Sequence, residues 1–117
     1  MTSILAVEDE QLVRFVVVEA LIDAGYTVLE AGDGEEALTL LREGKSVDLI
    51  LTDVRMPRLD GFALARAARE MHPQIPLIFM TGYSGSNMRP EFSNAEMLDK
   101  PFTPEHLLET VKRTLAQ

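Results

Sequence analysis

Five short strand-like runs, separated by longer helix-like stretches, restrict this chain more than any other feature. The runs lie near residues 3–8, 27–31, 48–53, 76–81 and 96–99. Those ending near Val7 and Asp53 are short and rich in aliphatics, which predicts buried strands, and the others read as strand-like. Helical stretches fall between and after them, near 11–24, 34–43, 61–71 and 103–116. Gly25, Gly44 and Pro73 stand as stop signals after the first three. Thr103 followed by Pro104 is a start signal for the last, a hydroxyl cap and then proline at the first helical position. Strands alternating with helices predict an α/β fold: a doubly wound, five-stranded parallel sheet with helices on both faces. One segment breaks the rhythm. Between Gly82 and Asn94 lie two glycines, a proline and several turn formers, which predict a loop with at most one or two turns in place of a full fourth helix.

A chain of 117 residues fits one domain with one continuous core, and an apolar fraction of 46% argues against disorder. The net charge of −8 opposes direct, nonspecific binding to nucleic acid, because phosphates are repelled. With no cysteine there is neither a disulfide framework nor a thiolate metal site. No stretch is long and apolar enough to span a bilayer, and no leader pattern opens the chain. A cytoplasmic protein is the simplest expectation. The opening methionine and the short finish after the last helix favour a stand-alone domain over residues 1–117 with no output domain.

The acids are placed where chemistry is expected. Glu8-Asp9-Glu10 closes the first strand run and Asp53 closes the third. In an open parallel sheet, ligands bind in the crevice at the carboxyl ends of strands. Carboxylates gathered in a dry crevice repel one another unless a cation joins them, which points to a divalent metal.

Together, Glu8-Asp9, Asp53, Met56-Pro57 with Asp60-Gly61, Thr81-Gly82 and Lys100-Pro101-Phe102 resemble the receiver domain of two-component response regulators. The resemblance covers essentially the whole chain. It implies the flavodoxin-like strand order 2-1-3-4-5. It also implies a phosphoacceptor at Asp53, taking a phosphoryl group from a phosphohistidine on a sensor histidine kinase or histidine phosphotransferase. Mg²⁺ would be held by Asp9, Asp53 and the backbone carbonyl of Arg55, with Glu8 holding one of its waters. Thr81 and Lys100 would meet phosphoryl oxygens. The domain would be a signalling switch, monomeric or weakly dimeric, that catalyses its own phosphorylation and slow dephosphorylation and controls an unnamed downstream target. Pro57 and Asp60-Gly61 would shape the loop beside the phosphoacceptor. Glu10 would complement the dipole of the first helix. His72 and His106 have no partner pattern for catalysis.

Two positions depart from the family. Glu8 stands where most receivers carry aspartate. Met97 stands where an aromatic residue usually swings inward on activation; with a flexible methionine there, segment 82–94 is expected to carry the change instead. Tyr83, two residues after Thr81, is expected to shield the phosphoryl group from water. In the first helix, Val13, Val17, Ala20, Leu21 and Ala24 predict the core face. Phe15, Val18 and Ile22 form a second stripe, the surface on which receivers dock a histidine-bearing helical domain. In the last helix Leu107, Leu108, Val111 and Leu115 predict core. The alternative function is a receiver-like binding module that no longer needs phosphorylation. An aspartyl-phosphate phosphohydrolase is disfavoured, since Arg55 occupies the position of its general acid. A flavin site is disfavoured because acids replace the phosphate loop after the first strand.

Overall fold

The computed structural model describes residues 1–82 and 90–117. Five strands form one parallel sheet: β1 Ser3–Val7, β2 Thr27–Ala31, β3 Leu49–Asp53, β4 Leu77–Thr81 and β5 Glu96–Asp99. Their order is β2-β1-β3-β4-β5, with every neighbouring pair parallel. Four helices are described: α1 Gln11–Asp23, α2 Gly34–Arg42, α3 Gly61–Met71 and α4 Pro104–Leu115. Between β4 and β5, Pro90–Phe92 makes a single 3₁₀ turn, in keeping with the turn-rich sequence there.

Strand side chains alternate between two apolar layers. Leu5, Val7, Ile50 and Phe79 pack toward α2 and α3 with Ala37, Leu41, Leu64 and Ala65. Ile4, Ala6, Leu51, Ile78 and Met80 pack toward α1 and α4 with Val17, Leu21, Leu107 and Val111. All five residues of β3 and of β4 are buried, as expected for central parallel strands covered on both sides.

Helix ends follow the local chemistry. Asp33 and Asp60 cap α2 and α3, each accepting from a backbone N–H three residues on, at 2.7 and 2.8 Å. Thr103 Oγ1 accepts from the His106 N–H at 3.0 Å, with Pro104 in the first turn. Gly25 and Gly44 take φ of 97° and 81°, the left-handed conformation that lets the chain leave a helix. Glu10 is the N-cap of α1, but its side chain makes no capping bond.

Two helices correct the sequence-based expectation. In α1, Val18 is buried rather than part of an outer stripe. The helix lies across β1, β2 and α4, and its apolar cover is broad enough to reach that flank. Ala24 is exposed, because it caps the helix beyond the sheet. In α4, Thr110 and Thr114 are buried beside Leu107 and Val111, whereas Leu108 and Leu115 are only partly buried. The two hydroxyls donate to carbonyls one turn back, at 2.9 and 2.8 Å, which satisfies them without water.

Candidate functional site

The carboxyl ends of β1 and β3 lie side by side, because Val7 is in register with Thr52. From there the chain leaves β1 toward β2, while β3 leads to β4 and β5, so a crevice opens between them. Asp53 ends β3 and is only 7% exposed. Glu8 follows β1 and is 1% exposed. Asp9, next along, is exposed. Carboxylate oxygens of these three lie within 4.8 Å of one another.

Lys100 enters from the end of β5. Its backbone N–H donates to the Thr81 carbonyl at 2.7 Å, which ties the two strand ends together. The ammonium donates to Glu8 Oε1 at 2.6 Å and to Asp53 Oδ2 at 3.2 Å. Thr81 is buried at the tip of β4. Lys100 and Pro101 are joined by a cis peptide bond.

The electrostatics follow from this crowding. Burial pushes the Asp53 carboxyl up to about 6; the Glu8 carboxylate adds to the rise and Lys100 opposes it. Burial works against the Lys100 ammonium, but bonds and attraction to Glu8 and Asp53 outweigh it and hold its pKa above the usual lysine range. The pocket therefore carries more negative charge than one ammonium neutralises.

The loop after Asp53 is fixed from both sides. The Gly61 N–H donates to the Val54 carbonyl at 2.9 Å. A Cβ on Gly61 would overlap the Asp53 carbonyl oxygen, so only glycine permits this approach. Arg58 holds φ of 68°, unusual for a side-chain-bearing residue. Its guanidinium reaches Asp33 at 2.9 Å and Glu35 at 2.7 Å on the first turn of α2. Asp60 caps α3, so the acid capping that helix is not Asp53.

The structure thus brings Glu8, Asp9, Asp53, Thr81 and Lys100 to one end of the sheet. Arg55 lies in the loop beside them with its side chain exposed. Met97 is half-buried against the α2–α3 layer. His72 and His106 are exposed at helix ends. Tyr83 lies outside the described residues, as does most of the expected switching segment.

The outer stripe of α1 keeps Phe15 and Ile22, as expected from the sequence, but sequence reading missed Leu12, Val16 and the groove beside them. Leu12, Phe15, Val16 and Ile22 of α1 are 78, 63, 54 and 50% exposed. Beside them runs an apolar groove of about 510 Å³ lined by Leu12, Val13, Val16, Val17, Lys100, Pro101 and Phe102. Helical spacing shows that α1 is apolar on several sides; only the position of the sheet decides which side stays open.

The family model "Response regulator receiver domain" matches residues 4–112. The chain belongs to the response regulator receiver family. This receiver is 43% identical over 117 residues to sensor kinase CckA of Brucella abortus, a match covering 97% of the chain and 12% of that protein. It is 36% identical over 118 residues to response regulator receiver protein CpdR of the same organism, covering 98% of each. Among solved structures, response regulator protein TrrA of Thermotoga maritima, in complex with Mg²⁺–BeF, superposes with a TM-score of 0.87 at 32% identity, covering 97% of this chain and 99% of that one. The acidic cluster of Glu8, Asp9 and Asp53 fits a Mg²⁺ site: hard carboxylate oxygens, few in number, suit an ion that keeps several waters. Among the described residues no helix is long and apolar enough to cross a membrane.

Proposed function

We propose that this receiver is a phosphorylation-controlled switch in a two-component relay, with Asp53 as its phosphoacceptor. The observation that carries the reading is the buried Asp53 carboxylate, in contact with the Lys100 ammonium at 3.2 Å and flanked by two further acids. Asp53 attacks the phosphorus of a phosphohistidine on a sensor histidine kinase or histidine phosphotransferase. The P–N bond breaks, its electron pair leaves with the imidazole, and an acyl phosphate forms on Asp53. Lys100 pairs with one phosphoryl oxygen, and the Thr81 hydroxyl donates to another. Asp9, Asp53 and the Arg55 carbonyl would hold Mg²⁺, with Glu8 one water further out. When bound, the ion would supply charge neutralisation on the transferring oxygens. Catalysis here consists of positioning and electrostatics, so the domain acts as a switch that promotes its own phosphorylation and slow hydrolysis.

Incubation with acetyl phosphate or phosphoramidate and Mg²⁺, followed by intact mass, tests this. The expected product carries one phosphoryl group, and none is gained when EDTA is present from the start. A protein that gains no mass with Mg²⁺ is instead a receiver-like binding module.

The exposed face of α1 and its groove are proposed as the dock for the histidine-bearing helical domain. They adjoin the pocket, since Lys100 lines both. A Val16→Asp substitution is expected to slow phosphotransfer from the partner by about tenfold or more, because a charge is buried in an apolar contact. Labelling by acetyl phosphate should be unchanged. Equal loss by both routes would place Val16 in the fold rather than the dock.

A further inference from the structure

The Lys100 ammonium has two acidic partners, and they are not equivalent. Glu8 Oε1 lies 2.6 Å from it and Asp53 Oδ2 lies 3.2 Å. The first is a short charge-assisted bond; the second sits at the long limit for an N–H···O contact. Glu8 is also the more rigid partner. Its Oε2 accepts from the Glu10 N–H at 3.0 Å. Its own N–H donates to the Ala31 carbonyl at 3.1 Å, and its carbonyl accepts from Arg14 Nη1 at 2.9 Å. With both carboxylate oxygens and both backbone groups engaged, and with 1% exposure, Glu8 is held where it stands. Lys100, a quarter exposed on a flexible stem, is the member of the pair that moves.

We infer that Glu8 is a positioning residue for Lys100: in the unphosphorylated, metal-free pocket it, rather than Asp53, holds the ammonium. The inference rests on the phosphoacceptor reading of Asp53 and adds a step to it. A phosphoryl group on Asp53 must draw Lys100 away from a preformed partner, so Glu8 sets how readily the ammonium is handed over. Glutamate's extra methylene matters here. An aspartate anchored at the same backbone point falls about one bond short of the ammonium.

The test follows the mobility of Lys100 itself, by ¹³C relaxation of its Cε methylene at pH 7 in EDTA with no phosphodonor. The methylene should be restricted in the parent protein and stay restricted in Asp53→Asn. It should become as mobile as that of an exposed lysine in Glu8→Gln and Glu8→Asp, with backbone amide spectra showing each variant folded. A Lys100 that loosens in Asp53→Asn, or that stays fixed in the Glu8 variants, overturns the inference. The Asp53→Asn arm leaves Glu8 intact, so it decides the matter even where a Glu8 variant fails to fold. Phosphoryl uptake from acetyl phosphate is measured separately. Its absence overturns the phosphoacceptor reading, while the relaxation data still judge Glu8 by themselves.

Discussion

Replacing Asp53 by asparagine is expected to abolish phosphoryl uptake and, in the metal-free protein, to make the fold more stable at neutral pH. The first effect follows because an amide is no nucleophile toward phosphorus. The second follows from proton linkage. The folded carboxyl titrates near 6 against an ordinary 3.8, so between these values the folded state binds more protons than the unfolded one. Stability therefore falls as pH rises through that window. The cost is absent below about 3.8 and complete above about 6. A shift of this size corresponds to at most about 3 kcal/mol. Asparagine keeps an acceptor for Lys100 but loses the charge that strengthens the 3.2 Å bond, so a net gain of about 1–2 kcal/mol is expected. Urea titrations in EDTA at pH 7.5 and pH 4 should show a gain at the first and little difference at the second. A variant less stable than the parent at pH 7.5 would contradict the electrostatic account. Excess Mg²⁺ should close the gap by stabilising only the parent, through binding to the folded state.

Phe79→Ala is expected to destabilise the protein by about 3–5 kcal/mol. That is a large share of the roughly 5–15 kcal/mol that holds a domain together. Phe79 is completely buried in β4. Its ring centroid lies 4.9 Å from that of Phe62 on α3 and 5.4 Å from that of Phe92 in the 3₁₀ turn. Removing it leaves a cavity that three rigid elements cannot collapse into. Arg69 over Phe92, and the Arg66–Glu91 pair at 2.8 Å, hold the turn against α3 from outside. The urea midpoint should fall with little change in slope. A loss below about 1 kcal/mol would mean that the trio repacks freely.

The sequence made the sheet legible because its signals are local. An unbroken run such as Leu77-Ile-Phe-Met80 has few other uses, and Thr103-Pro104 or Gly25 marks a helix end within two residues. The acids were legible for the same reason, since each closes a strand. What stayed hidden depends on contacts between distant segments. Val18 and Ala24 both satisfy helical periodicity, yet the lateral reach of the sheet buries one and the cap position exposes the other. Glu8 and Lys100 stand 92 residues apart, and no spacing along the chain announces that their side chains meet. Their bond arises because the strand order places the ends of β1 and β5 on the same rim, across β3 and β4.

Lys100 forms a wall of the apolar groove as well as of the acidic pocket. A protein surface laid into that groove would strip water from one flank of the ammonium. The local dielectric would drop, and the attraction of Lys100 for an anion in the pocket would rise. Occupancy on the outside and charge on the inside are then reciprocally coupled. The conduit is a single side chain, and the polypeptide need not change shape for the signal to pass.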